Sequence, residues 1–129
     1  MDVRILVIED DTVNMEMMLY LLKQFGYQTS MAFDGLSGLQ MAITIQPDMI
    51  LCDVTLPGMS GVAFIRKLRS TPSIVNIPVL AVTAMTSAGD EERLLGLGFN
   101  GYIAKPFEPE YLKDELTKLF QKFLPKFIS

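Results

Sequence analysis

The stretch Pro47–Gly61, PDMILCDVTLPGMSG, sets an apolar run, Met49 to Cys52, directly before a carboxylate, Asp53. A loop with Pro57, Gly58 and Gly61 follows. Unbroken rather than alternating apolarity is what a strand buried on both faces of a parallel sheet looks like. A charge at the tip of such a strand is penalised by desolvation unless something compensates it. The remainder of the chain has to supply the compensation.

Four further extended runs surround this one: Val3–Ile8, Gln28–Phe33, Val79–Thr83 and a short Gly101–Ala104. Amphipathic segments lie between them. Met18, Leu21, Leu22 and Phe25 keep helical spacing, and Gly26 stands where a helix-ending glycine belongs. Leu36, Leu39 and Ile43 mark a second helix closed by Pro47. A third runs from about Val62 to Arg69, with Ile65 and Leu68 inward, and Pro72 ends it. The fourth, around Ser87–Leu97, has poor periodicity, carries Gly89 and Gly96 with Gly98 just after it, and is expected to be the least stable. Leu112, Leu116, Leu119, Phe120 and Phe123 give the last helix a clean apolar stripe. Five strand–helix repeats predict an α/β three-layer sandwich with a parallel five-stranded sheet and five helices. The flavodoxin-like order 2-1-3-4-5 follows, with ligands bound beyond the carboxyl ends of strands 1 and 3.

At 129 residues the chain has room for one domain, read here as residues 1–129, and its apolar runs are too short for a bilayer. Met1 is followed at once by Asp2 and Arg4, unlike a secretory leader. The lone cysteine, Cys52, precludes an internal disulfide, fits a reducing cytoplasm and reads as a core thiol. With no histidine, a zinc site is nearly excluded and oxygen-ligated ions remain. A net charge of −4 argues against a nucleic-acid surface.

The strand ends carry the chemistry. Strand 1 ends in Glu9-Asp10-Asp11, strand 3 in Asp53, strand 4 in Thr83 with small Ala84 after it, and strand 5 in Lys105-Pro106. Neighbouring strands lie about 4.8 Å apart, so Asp10 and Asp53 can share an ion. Lys105 has a stem long enough to reach across two strands. Crowded carboxylates call for a cation. Oxygen ligands with room for water favour magnesium, with manganese as the alternative. A carboxylate, a hydroxyl and an ammonium around such an ion suit phosphoryl transfer, with Asp53 as nucleophile and Lys105 and Thr83 on the transferring oxygens. Taken singly, each group has an ordinary reading: turn residue, strand-end threonine, solvated lysine. Asp11 or Thr12 reads as the N-cap of helix 1.

Together, ILVIEDD (5–11), ILCDVTLPGMSG (50–61), VLAVTA (79–84) and YIAKPF (102–107, within the strand end 101–107) resemble the receiver domain of two-component response regulators. The segments EDDTVNMEMM and GDEER are more weakly similar to single-domain chemotaxis and cell-cycle regulators and to hybrid-kinase receivers. The resemblance implies that Asp53 accepts a phosphoryl group from a histidine kinase or phosphotransfer protein. It implies magnesium held by Asp10, Asp53 and the Thr55 carbonyl, with Glu9 acting mostly through water. Thr83 and Tyr102 match the switch pair, and Lys105-Pro106 matches a bond that is usually cis. Output is then expected through the surface of helix 4, strand 5 and helix 5 onto a downstream protein. The expected chain is a monomer or weak dimer with no effector domain.

Glu9 stands where many members of that family have Asp. Thr55 and Met85 occupy rate-tuning positions, and neither is an acid or amide that would orient a water, so slow to moderate autodephosphorylation is expected. Two rivals are a receiver-like docking module that is never phosphorylated and a small Asp-nucleophile phosphatase. The latter places its nucleophile after strand 1, where this chain has Glu9.

Overall fold

The computed structural model describes residues 3–84 and 87–125. Five strands, β1 (Arg4–Ile8), β2 (Gln28–Ala32), β3 (Met49–Asp53), β4 (Val79–Thr83) and β5 (Gly101–Ala104), alternate with five helices. These are α1 (Thr12–Gln24), α2 (Gly35–Ile45), α3 (Gly61–Arg69), α4 (Asp90–Leu97) and α5 (Pro109–Phe123). All neighbouring strands are parallel, and the order is β2-β1-β3-β4-β5.

Every residue of β3 and β4 is buried, as their unbroken apolarity predicts. Successive side chains point to opposite faces. Leu6, Ile8, Ile50, Cys52 and Ala81 join Leu39 of α2, Phe64 and Leu68 of α3 and Leu94 of α4 in one core layer. Ile5, Val7, Leu51, Leu80 and Val82 join Met15 and Met18 of α1 and Leu112 and Leu116 of α5 in the other. Burying each large aliphatic side chain contributes about 1.5–3 kcal/mol relative to leaving it in water. The two layers thus hold the sheet between α2, α3 and α4 on one side and α1 and α5 on the other.

The helix ends follow local chemistry. The Asp11 carboxylate caps α1, accepting from the amides of Val13 and Asn14, and Gly26 follows the helix at φ +96°. The α2 helix departs from expectation. Leu36 and Ile43 are 54% and 43% exposed, and the buried positions are Gly35, Gly38, Leu39 and Ala42. The physical reason is the closeness of α2 to the sheet: a Cβ on Gly38 would lie 2.5 Å from Ile8 Cδ1. Small residues therefore face inward and large ones are turned out. The apolar stripe of α5 likewise ends at Phe120, because Phe123 in the last turn is half-exposed. The α4 helix starts at Asp90, later than its sequence suggested. It is eight residues long, buries only Leu94 and begins at Gly89 without a side-chain cap.

At the opposite edge of the sheet, Arg69 closes α3 with five hydrogen bonds. It donates to the carbonyls of Val75, Ile77 and Gly98 and to the Asn100 side chain. The same Asn100 oxygen accepts from the Val79 amide at 2.7 Å, so one side chain ties α3, β4 and the α4–β5 turn together.

Candidate phosphoacceptor site

Because Ile8 pairs with Cys52 across β1 and β3, the residues that follow, Glu9 and Asp53, emerge side by side. Ligand oxygens of Glu9, Asp10 and Asp53 all lie within 4.8 Å of one another. Glu9 and Asp53 are buried, whereas Asp10 is exposed. Lys105 reaches in from the end of β5, its Nζ 2.6 Å from Glu9 Oε1 and 2.9 Å from Asp53 Oδ2. The Lys105-Pro106 bond is cis.

Each buried carboxylate is also held by a backbone amide. Thr55 N donates to Asp53 Oδ1 at 2.9 Å, and Asp11 N donates to Glu9 Oε2 at 3.1 Å. Both oxygens of Asp53 are thus partnered, one by a neutral donor and one by an ammonium. The loop that carries Thr55 is pressed against the start of α3: a Cβ on Gly61 would come within 2.5 Å of Val54 Cα. Gly61 is therefore what allows α3 to begin so close behind Asp53.

The electrostatics follow from this crowding. Burial holds the Glu9 pKa above its ordinary value, against the opposing hydrogen bonds from Lys105 and the Asp11 amide. Burial lowers the Lys105 pKa, but its hydrogen bonds to Glu9 and Asp53 and their charges outweigh that and raise it overall. Burial, and then the charges of Asp53 and Glu9, push the Cys52 thiol up, so it is an unreactive core group. Three carboxylates still face one ammonium. That imbalance, with oxygen donors only, fits a hard divalent cation.

Thr83 is buried at the end of β4, one residue beyond the partner of Asp53, and its carbonyl accepts from Lys105 N at 2.8 Å. Ala84 behind it is exposed. Thr55 is exposed above Asp53, and Tyr102 is half-buried on β5. Met85 lies outside the described residues. Two contacts escaped sequence reasoning. One is the direct Glu9–Lys105 pair, which adds a protein partner to Glu9. The Thr55 amide bond was legible in principle, since an Asp two residues before its donor is a standard Asx-turn arrangement.

Comparison with known proteins agrees with this geometry. The family profile of the response regulator receiver domain matches residues 5–117. The polar-differentiation response regulator DivK of Brucella anthropi is 36% identical over 110 residues, which cover 84% of this chain and 89% of the relative. The structure of the chemotaxis response regulator CheY4 of Vibrio cholerae superposes with a TM-score of 0.86 at 28% identity, covering 92% of this chain and 99% of that one. The receiver domain of the sensor histidine kinase PA1611 from Pseudomonas aeruginosa, solved with a magnesium ion coordinated in its active-site cleft, superposes with a TM-score of 0.82 at 31% identity. That match covers 95% of this chain and 98% of the other. With its sheet order, its acidic rim and its inward lysine, the chain belongs to the response regulator receiver domain family.

Proposed function

We propose that Asp53 is the phosphoacceptor of a magnesium-dependent phosphoryl transfer and that a histidine kinase or phosphotransfer protein is the donor. The observation that carries this is the meeting of Glu9, Asp10, Asp53 and Lys105 on one rim, with Lys105 bonded to the acceptor carboxylate. A receiver of this kind is a regulator that is itself modified, not a classical enzyme.

Asp10, Asp53 and the Thr55 carbonyl would hold the magnesium ion, with Glu9 beside them. Bound there, the ion supplies positive charge against the oxygens of the transferring group. Asp53, fixed by the Thr55 amide and by Lys105, offers one carboxylate oxygen to the phosphorus of a phosphohistidine. The new O–P bond forms as the N–P bond breaks, and the imidazole leaves with the bonding electron pair. Lys105 then turns from the acceptor carboxylate to a phosphoryl oxygen, and the Thr83 hydroxyl takes another. Tyr102, behind Thr83, carries the change to the surface formed by α4, β5 and α5, where a downstream protein reads it.

A groove of about 350 Å³ between α1 and the β5–α5 turn, lined by Met17, Ala84, Lys105 and Phe107, opens beside the site and suits the approaching donor. Met17 in this lining is exposed, as is Val13 on the same helix. Since a phosphohistidine donor is charged from ATP, donor and acceptor belong in the cytoplasm. The test is incubation with magnesium and acetyl phosphate followed by intact mass. A gain of one phosphoryl group, abolished in Asp53→Asn, is expected; no gain, or a gain that survives the substitution, defeats the proposal.

A further inference from the structure

A groove of about 520 Å³ runs between β5 and the first turns of α5. Its apolar lining is Ala104, Pro106 and Phe107 with the rings of Tyr102 and Tyr111, and the exposed acids Glu108, Glu110 and Asp114 rim it. Among the described residues no lysine or arginine lines it. The cations of α5 are engaged elsewhere: Lys113 lies over the Phe25 ring, Lys122 over the Phe123 ring, and Lys118 pairs with Glu115. Across β5, α4 opens with Asp90, Glu91 and Glu92, offset by Arg93 beside Asp90. The charges of Asp90 and Glu91 are felt at Tyr102, whose hydroxyl is pushed up by burial first and by these acids next.

From this arrangement we infer that the α4–β5–α5 face takes a cationic amphipathic segment of its protein partner. One large apolar side chain seats between Tyr102 and Tyr111, and flanking Lys or Arg residues meet Glu108, Glu110 and Asp114. Such an apolar cleft rimmed by a single sign of charge gives both an anchor and steering. An acidic or neutral partner would be repelled from the rim or would leave it unpaired. The inference rests on reading this face as the output surface, and it concerns which partner chemistry that surface selects.

The probe is a fluorescein-labelled helix of leucine and lysine in amphipathic register, with its leucine–glutamate counterpart as control. Binding is followed by anisotropy and by amide chemical shifts of the full chain. The lysine helix should bind, should shift Tyr102, Tyr111 and Asp114, and should weaken by about tenfold or more between about 50 and 300 mM salt. The double variant Glu110→Lys/Asp114→Lys should lose about tenfold or more in affinity, and Glu110→Gln/Asp114→Asn an intermediate amount. Glu16→Lys, on α1, should change little. Shifts spread evenly over all acidic surfaces, or equal losses from Glu16→Lys and the groove variants, would overturn the inference. Phosphoryl uptake measured by intact mass on the same samples is independent of peptide binding, so failure here is distinguishable from failure of the proposed chemistry.

Discussion

Lys105 Nζ lies 2.9 Å from Asp53 Oδ2 across 52 residues of chain, and the same nitrogen lies 2.6 Å from Glu9 Oε1. The ammonium thus serves two acids before any phosphoryl group arrives. Replacing it by Lys105→Met removes a charge aimed at the transferring oxygens and should slow acceptance from acetyl phosphate by about 100-fold. The same change leaves the acids more repulsive, so magnesium affinity by calorimetry should hold or rise. Unchanged acceptance rates would refute this role for Lys105.

Asp10 is the exposed member of the acidic group, and it has no part in the Lys105 ion pairs. Asp10→Asn should therefore weaken magnesium binding by about tenfold or more while the melting temperature barely moves. Chelation with EDTA should stop phosphoryl uptake in the unmodified chain, and manganese should restore it. Uptake that continues in EDTA would contradict the metal's role.

Thr55 holds Asp53 through its amide, which leaves its exposed side chain free to vary. A threonine there offers no carboxylate or amide to orient an attacking water. The phosphoryl group should accordingly persist well beyond seconds. Thr55→Glu should shorten its lifetime several-fold, with about 100-fold as the upper bound. A wild-type lifetime of seconds, or none of this acceleration, counts against the assignment.

The Lys105 ion pairs carry a pH signature. Their combined effect puts the folded ammonium above 10.5, its unfolded reference. A group raised in this way contributes stability that is complete below the unfolded value and is lost as pH climbs through the folded one. The stability gap between wild type and Lys105→Met, from urea unfolding, should be steady below about pH 10 and should shrink beyond 10.5. A gap that widens in alkali would show the sign to be wrong.

Arg69 gives a stability prediction remote from the chemistry. Its guanidinium is held by neutral acceptors, and burial lowers its pKa. Arg69→Met would strand the carbonyls of Val75, Ile77 and Gly98, at a cost of about 3 kcal/mol or more. Acceptance of phosphate by the folded fraction should be unaffected, because this network lies at the other end of β4 from Thr83.

What the sequence revealed depended on how local each signal was. The strands β3 and β4 were legible because both faces of each are buried, leaving unbroken apolar runs. The strand-end acids and Lys105 were legible because a parallel sheet presents all its carboxyl ends on one rim. The inward face of α2 was not, because Gly35, Gly38 and Ala42 carry little hydrophobic signal while Leu36 and Ile43 carry much. The Glu9–Lys105 bond depends on how far a side chain bends across three strands, which spacing does not encode. Arg69 is one of three cations in the last turn of α3, nothing in the sequence sets it apart from Arg66 and Lys67, and its carbonyl partners have no side-chain signature.

On the proposed chemistry the carboxylate of residue 53, and no other, becomes the acyl phosphate. Borohydride reduces an aspartyl phosphate to homoserine, so reduction after exposure to magnesium and acetyl phosphate, followed by peptide mapping, reads the modified position directly. Homoserine at position 53 alone is the predicted result. Homoserine at Asp10 or Asp11, or none at all after a measured phosphoryl gain, would contradict it.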